Sequence, residues 1–281
     1  KPERRLEDVI FEPVLAGKIK HIADSLSNIV ENNDFFDNIL LYGDPGTGKT
    51  LVAQTIAERS KMEYIYFAAS SLDQFSLEES LQKLTQLFDF AKRSKKKLMI
   101  IIDEAEMLFA NRDKELSEKS RKLLTHILTY TGTETRDFLM VLLTNRPHDL
   151  DSAVLSRCGV KLHVSTPAFE QRRDIIKLYI NKILIKAAQK PEPTKLQYLK
   201  NRILNIKDSK PIVIPSDLIT DQLIDELTRR TEGFVGRDIS KMVISILSYV
   251  RTTKNRILTK EIIDTVVQQK IEQTLQKFYH S

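Results

Sequence analysis

The stretch "NILLYGDPGTGKTLVAQTIAE" (38–58) decides the fold of this 281-residue chain. Four apolar residues lead into a glycine-containing loop, and a helix-like segment follows a lone lysine. Strand, loop and helix in this order are the context in which the pattern G-x-x-x-x-G-K-[ST] binds nucleotide phosphates. A plain turn of glycine and proline is the alternative, but a turn does not require the Lys-Thr pair that ends the loop. The stretch therefore predicts a phosphate-binding loop.

The residues of this loop have the chemistry that a triphosphate requires. The glycines let successive backbone N–H groups turn toward an anion, and the helix that follows adds its positive end. Lys49 can reach the β- and γ-phosphates, and the hydroxyl of Thr50 can ligate Mg²⁺. We therefore predict that the chain binds ATP and Mg²⁺. The predicted nucleotide contacts in this segment are Gly43, Asp44, Pro45, Gly46, Thr47, Gly48, Lys49, Thr50 and Leu51.

Composition indicates a globular protein with a sizeable core, since 41% of the residues are hydrophobic and 29% are charged. Cys158 is the only cysteine, so no intrachain disulfide can form, which fits an intracellular reducing compartment. No apolar run approaches the roughly 18 residues of a membrane span. The first residues, "KPERRLEDVIFEP" (1–13), do not resemble a signal peptide. We expect no membrane span within this sequence.

The net charge of +6 permits an acidic partner without demanding one. The densest basic run, "KRSKKK" (92–97), precedes an apolar strand. It lacks the interleaved aromatic residues on which single-stranded nucleic acids stack, so a solvated loop is the favoured interpretation. Nucleic acid is therefore a conceivable but not a favoured partner.

Five short apolar runs predict the strands of a sheet: 38–42, 64–67, 98–102, 138–143 and, more weakly, 161–164. Their nearly continuous apolar character is typical of parallel strands that are buried on both faces. Helical patterns separate them, and one, "RKLLTHILTYTG" (121–132), would end with Gly132 as its cap. We therefore predict an α/β doubly wound nucleotide-binding domain over residues 1–167.

Strand patterns cease after Pro167, and residues 168–281 predict a small all-helical domain. A proline-marked polar passage at 190–215 is predicted to be an insertion or a long connection. The predicted helices of this domain are 172–189, 217–230, 236–250 and 259–278.

A second chemical motif is the pair Asp103 and Glu104, at the end of the apolar run "LMIII" (98–102). Carboxylates beside a buried strand are costly unless a cation is close by. Asp103 is predicted to be a Mg²⁺ ligand, and Glu104 to polarise the attacking water. The alternative is that the pair caps the start of a helix. The phosphate-binding loop about fifty residues upstream favours the catalytic interpretation.

A third group follows the run "FLMVLL" (138–143). Asn145 is predicted to touch the γ-phosphate or its water, with a simple turn before Arg-Pro as the alternative. Arg157 lies in a loop before the last strand, and no acidic partner is close in sequence. An exposed arginine usually only solubilises a surface, but this one is also a candidate to stabilise transition-state charge on a neighbouring subunit's ATP.

Four segments, "GDPGTGKT", "IIIDEAE", "LLTNRPHDLDSAVLSR" and "TEGFVGRDIS", resemble the AAA group of AAA+ ATPases in order and spacing. The resemblance covers nearly the whole chain. It implies a P-loop fold of five parallel strands with helices on both faces, followed by a helical lid. The site residues that it implies are Walker A at 43–50, Walker B at Asp103 and Glu104, sensor 1 at Asn145, an arginine finger at Arg157 and sensor 2 at Arg237. Many relatives have a second arginine where Ser156 stands, and Lys161 is a candidate second cation.

Three segments, 9–23, 87–109 and 227–243, are similar to the AAA domain of the mitochondrial ATPase-family AAA-domain-containing protein 3 group. That group keeps the arginine of "GFVGRD", which many AAA proteins replace with alanine. The likeness implies a location on the matrix side of the mitochondrial inner membrane. A bacterial cytoplasmic relative is the alternative. The coiled-coil and membrane segments that precede the domain in this group are not found in the sequence given.

The resemblance implies an ATPase that works as a ring of identical subunits, with a hexamer expected. ATP would lie between the α/β domain and the lid, with Val9 and Ile10 near the adenine. A polypeptide or a membrane-associated protein is the favoured partner. The alternatives are a slow ATP-dependent scaffold for membrane or nucleoid components and, less favoured, a DNA-remodelling motor. Phe75 is a candidate to grip a substrate in the pore of the ring, or else it packs at the start of a helix.

Overall fold

A computed structural model describes residues 9–110, 118–131, 135–189 and 211–279. The chain divides into two compact units, and the boundary between them falls after Thr166. This position is one residue from the boundary that the sequence predicts. The first unit contains the sheet and the second is built from helices.

The sheet of the first unit has five parallel strands in the order β2-β3-β4-β1-β5. The interior strands β3 and β4 are buried along nearly their whole length, as their apolar sequences predict. The strands are β1 (Ile39–Tyr42), β2 (Glu63–Ala68), β3 (Leu98–Asp103), β4 (Phe138–Thr144) and β5 (Val160–His163). Each lies within two residues of its predicted range.

Helices cover both faces of this sheet, and each face has its own apolar core. On one face, α1 and α2 pack against strand residues such as Leu41 and Val141. On the other face, α3 and α5 pack against the alternate strand residues, such as Ile100 and Leu142. The helices of this unit are α1 (Pro13–Asn32), α2 (Lys49–Arg59), α3 (Leu77–Arg93), α4 (Glu106–Phe109), α5 (Glu118–Tyr130) and α6 (Ser152–Leu155). The architecture is the predicted P-loop α/β fold.

The described part of the second unit is helical, and its four longer helices contribute to one apolar cluster. Its helices are α7 (Phe169–Tyr179), α8 (Lys186–Ala188), α9 (Asp221–Arg230), α10 (Gly236–Thr252) and α11 (Lys260–Tyr279). The side chain of Arg172 is buried, and it donates to the carbonyls of Pro167 and Thr228. This arginine therefore ties the first residue of the unit to α9.

The helical pattern of residues 172–189 is not one regular α-helix. A π-helical segment, Ile180–Ile185, separates α7 from α8. Such a segment shifts the hydrogen-bond pattern by one residue, and an apolar pattern cannot reveal this.

Two sequence predictions lie wholly or largely outside the described residues: the cap at Gly132 and the insertion at 190–215, of which only 211–215 is described. Among the residues that the structure describes, no helix combines the length and the apolar character needed to cross a membrane.

Candidate functional site

The loop between β1 and α2 adopts a backbone that only glycine accepts easily. Gly43, Gly46 and Gly48 have φ angles of 148°, 87° and 103°. A Cβ on Gly43 would lie 2.2 Å from the carbonyl oxygen of Val164, so close approach also requires glycine there. Gly48 is the N-cap of α2, which places the N-terminal N–H groups of this helix at the loop. The loop thus has the geometry of a phosphate cradle.

Lys49 is only 7% exposed, and its ammonium group is held inside this loop. It donates to the carbonyls of Gly43 and Asp44 at 2.8 and 2.9 Å and to Oδ1 of Asn145 at 2.6 Å. A buried charge requires such partners. The contact with Asn145 joins the loop to the end of β4, so two residues that the sequence predicts for the site lie together.

Thr50 and Asp103, the predicted Mg²⁺ ligands, also lie together. The Thr50 hydroxyl donates to Oδ2 of Asp103 at 3.1 Å. The described residues contain no group of three or more His, Cys, Asp or Glu side chains that could hold a metal. Mg²⁺ in nucleotide sites is usually held by one or two protein ligands together with phosphates and waters. The donor set therefore fits a magnesium ion that binds with the nucleotide.

Tyr66, which the sequence does not single out, is a neighbour of this pair. Its hydroxyl donates to Oδ2 of Asp103 at 2.9 Å. Partial burial, together with this hydrogen bond and the charges of Asp103 and Glu104, raises the pKa of Tyr66 to about 12. The phenol is therefore a hydrogen-bond donor to the carboxylate at any physiological pH.

Glu104 has a φ of 54°, which is uncommon for a residue other than glycine. Its side chain is exposed, and it accepts a hydrogen bond from the hydroxyl of Ser70. The alternative that the acidic pair caps a helix is wrong, because the N-cap of α4 is Ala105 and no side chain caps it. A strained backbone of this kind often occurs at functional sites.

Ser70 is a site residue that the sequence analysis missed. It follows β2 by two residues, and Ala68 at the end of β2 pairs with Asp103 at the end of β3. The pairing of these two strands brings Ser70 beside Glu104. A polar residue just after a predicted strand was the available signal, but the strand order was needed to use it.

The hydrogen bonds of Thr144, the residue directly before Asn145, were also missed. The hydroxyl of Thr144 donates to Oε2 of Glu106 at 2.6 Å and accepts from the backbone N–H of Arg146 at 2.9 Å. Thr144 is only 1% exposed. These contacts fix the chain on both sides of Asn145, so Glu106 of the "DEAE" motif supports the site rather than contributing a third free carboxylate.

Arg157 lies near the amino-terminal ends of β1 and β5. The phosphate-binding loop of the same chain follows the carboxyl end of β1. The backbone carbonyl of Arg157 accepts a hydrogen bond from Nδ2 of Asn38, directly before β1, at 3.2 Å. Gly43 follows Asn38 by five residues of extended chain, which corresponds to about 16 Å. This distance exceeds the reach of an arginine side chain. The Arg157 guanidinium instead donates to the carbonyl of Ala153 at 2.9 Å.

The remaining predicted site residues are placed as follows. Val9 and Ile10 are half-buried just before α1, and Leu51 is half-buried in α2. Lys161 is exposed in β5, in a groove between that strand and α1. Arg237 is exposed in the first turn of α10, in the second unit. The roles of these residues toward ATP stay predictions.

Phe75 is partly buried and packs against the core that lies under α3. The Nζ of Lys83 lies 4.3 Å from the centre of its ring. Ser76 and Glu79 form a complete capping box at the start of α3. A hydrophobic staple would pair Phe75, before the N-cap, with an apolar residue four positions after the N-cap. That position is Ser80, which is polar. These contacts favour a packing role, and the pore role of Phe75 stays a prediction.

The basic run 92–97 lies before β3, at the edge of the sheet away from the loop. Lys96 pairs with Glu63 at 2.6 Å, Arg93 with Asp89 at 3.4 Å, and Lys92 lies over the ring of Tyr130. These local contacts suit a solvated surface.

Comparison with known proteins identifies the first unit. Residues 39–166 match the model of the family described as "ATPase family associated with various cellular activities (AAA)". This match begins at β1 and ends at the boundary between the two units, so it includes every strand of the sheet.

Nearly the whole length of this chain is similar to a set of longer proteins. It is 30% identical to ATPase family AAA domain-containing protein 3A of Homo sapiens over 99% of this chain and 44% of that protein. The Xenopus laevis protein 3-A gives the same values, and the Caenorhabditis elegans protein 3 is 29% identical over 92% of this chain and 41% of its own length. The chain thus spans less than half of the relatives it matches.

Proposed function

Since the chain belongs to the AAA family of ATPases, we propose that it binds and hydrolyses Mg·ATP at sites shared by neighbouring subunits of a ring. One observation carries this proposal: the carboxyl ends of four adjacent strands bring the predicted catalytic residues to one edge of the sheet. The residues that gather there are Ser70 after β2, Asp103 and Glu104 after β3, Asn145 after β4, and Lys49 and Thr50 after β1.

Lys49 and the loop amides bind the phosphates in this proposal. Lys49 exchanges its bonds with the Gly43 and Asp44 carbonyls for phosphate oxygens, while Asn145 remains beside it. Thr50 and Asp103 hold Mg²⁺, which offsets charge on the phosphate oxygens when it is bound. Their side chains are joined by a direct hydrogen bond.

Glu104 accepts a proton from the attacking water or polarises it. Its exposed carboxylate reaches out from the end of β3, and the Ser70 hydroxyl orients it. Asn145 contacts the γ-phosphate or the water from the neighbouring strand. The two groups follow the adjacent strands β3 and β4, which supports a water held between a base and a polar anchor.

Arg157 serves the ATP of the next subunit. The separation of about 16 Å along β1 between its backbone and its own loop supports a role in trans over one in cis. The sensor role of Arg237 toward ATP is part of the same proposal. A ring of identical subunits supplies each site with the finger of its neighbour, and a hexamer is the expected size.

The work done by the ring is proposed to be remodelling of a polypeptide or a membrane-associated protein. The similarity to the ATPase family AAA domain-containing protein 3 sequences agrees with the group that the sequence motifs resemble, and a location on the matrix side of the mitochondrial inner membrane is proposed from that resemblance. Bacterial cytoplasm is the alternative location. The relatives named above are more than twice as long as this chain.

Two variants test the proposal. Lys49→Ala removes the cation that holds the phosphates, so ATP binding should be lost. Glu104→Gln keeps the shape of the site but removes the base, so binding should persist while phosphate release falls by about 10² to 10⁴. Binding is measured with a fluorescent ATP analogue and turnover by phosphate release.

Matched controls are available on exposed helix surfaces of the same unit. Lys20→Ala in α1 and Glu58→Gln in α2 make the same chemical changes away from the site, and both should behave as wild type. Wild-type turnover by Glu104→Gln would refute the assigned base. ATP binding with negligible turnover in the wild-type assembly would instead support the slow scaffold.

A further inference from the structure

The main chain around Arg157 is held by two side chains at the start of β1. Nδ2 of Asn38 donates to the carbonyl of Arg157 at 3.2 Å. A carboxylate oxygen of Asp37 accepts from the N–H of Gly159 at 2.9 Å. The segment between α6 and β5 is therefore fixed at both the carbonyl of Arg157 and the amide two residues later.

Asn38 uses both ends of its amide, which defines its orientation. While Nδ2 donates to Arg157, Oδ1 accepts from the N–H of Met140 in β4 at 3.1 Å. A flipped amide would place donor against donor and acceptor against acceptor. An aspartate could keep the contact with Met140, but it has no hydrogen to donate to Arg157. The aspartate variant therefore removes one of the two bonds selectively.

Gly159 fits tightly against Asp37. A Cβ built on Gly159 would lie 1.9 Å from a carboxylate oxygen of Asp37. The absence of a side chain at 159 is thus what lets Asp37 approach the backbone closely enough to bond. Asp37 itself is exposed, so it can be replaced without disturbing a core.

Strand pairing does not require these side-chain bonds. The register of β5 is already set by four residue pairs with β1 and by the bond from the Val160 N–H to the carbonyl of Asn38. The side-chain bonds act on residues 157 and 159, which lie outside the strand. They constrain the backbone of Arg157 only. The guanidinium of Arg157 can still move away from the carbonyl of Ala153.

We propose that Asn38 and Asp37 are positioning residues for Arg157, which fix the backbone from which its guanidinium reaches the ATP of the next subunit. This inference rests on the proposed function. A displacement of about 1 Å in a reacting group can cost about 10²-fold in rate. The loss of either bond should therefore slow hydrolysis without weakening ATP binding.

The test uses Asn38→Asp in the assembled protein, with Asn28→Asp on the exposed face of α1 as the matched control. We expect kcat to fall by about 10- to 100-fold with little change in KM or in binding of a fluorescent ATP analogue. The control should keep wild-type values. Asp37→Ala should shift kcat in the same direction, and it provides a second test if Asn38→Asp folds poorly.

Mixing Asn38→Asp with Glu104→Gln distinguishes a misplaced Arg157 from damage to the phosphate-binding loop of the Asn38→Asp subunit itself. An Asn38→Asp subunit has an intact site, and a Glu104→Gln neighbour lends it an intact finger, so the mixture should recover activity. If Asn38→Asp acted on its own loop, both kinds of site would stay slow. Absence of recovery in rings shown to exchange subunits would overturn the proposal, as would an unchanged kcat.

Arg157→Ala distinguishes failure of this inference from failure of the proposed function. If Arg157→Ala is slow and recovers on mixing while Asn38→Asp does not, only the positioning role is wrong. If Arg157→Ala hydrolyses ATP at the wild-type rate, the finger itself is wrong and the positioning role is wrong with it.

Discussion

Ser70 is the hydrogen-bond donor to Glu104, the predicted general base. The Ser70 hydroxyl is the donor that orients the Glu104 carboxylate, and Glu104 protrudes from a backbone with positive φ. We predict that Ser70→Ala lowers kcat by about tenfold, a fraction of the 10² to 10⁴ that a general base contributes. ATP affinity should not change, because the Ser70 hydroxyl donates to Glu104, which is not one of the predicted phosphate ligands.

Single-turnover phosphate release and analogue binding measure these two quantities. Ser71→Ala, an exposed neighbour, is the control. Equal turnover of Ser70→Ala and wild type would show that the hydrogen bond does not orient Glu104.

Cys158, next to Arg157, should be an unreactive thiol. It is 3% exposed, and burial, opposed by the charge of Lys161, raises its pKa to about 11. An unperturbed thiol has a pKa of about 8.5, so at pH 8 the folded protein holds far less of the reactive thiolate. Alkylation at pH 8 should be much slower in the native protein than in urea. Equal rates would contradict the burial of this residue.

The raised pKa of Cys158 also makes the stability of the protein depend on pH. Because the pKa of Cys158 is raised in the folded state, its contribution to stability is present below about pH 8.5. The contribution is lost as the pH rises toward 11.

At the scale of elements, the strands could be predicted because their signal is local. A buried parallel strand needs a continuous apolar run, and each of the five runs is visible in the sequence. The glycine loop is equally local, since Lys49 and Thr50 follow it directly. These features fixed the P-loop architecture and most of the candidate site.

The contacts between elements could not be predicted from local patterns. Ser70 and Tyr66 reach the site only because β2 lies beside β3, and Glu106 meets Thr144 only because β4 lies on the other side. Asn38 contacts residues that are more than a hundred positions away. Strand order determines all of these neighbours, and the sequence alone left that order open.

The start of α3 offers a test between packing and pore roles. Phe75 packs on the core, and a capping box follows it. We predict that Phe75→Ala lowers the free energy of unfolding by about 1 to 3 kcal/mol, because a partly buried ring is lost. Urea denaturation measures this change.

Ser71→Ala is again a suitable control, since it is exposed in the same loop. Wild-type stability of Phe75→Ala, together with a loss of substrate-stimulated turnover alone, would favour the pore role instead.

At the scale of the whole molecule, we propose that the site of one subunit is completed by its neighbour. The loop, the acidic pair and Asn145 lie at one edge of the sheet, whereas Arg157 starts from the opposite edge. A finger is worth about 10³ to 10⁵ in kcat where it has been measured. Hydrolysis should therefore depend on assembly, and specific activity should rise with protein concentration.

The central claim, hydrolysis at shared sites, is tested most directly by phosphate release from mixtures of Arg157→Ala and Glu104→Gln. Each variant alone should bind ATP and hydrolyse it very slowly. An equal mixture of exchanging subunits should recover up to about one quarter of the wild-type rate, because one neighbouring pair in four joins an intact site to an intact finger. No recovery at any mixing ratio, in rings shown to exchange subunits, would contradict the account.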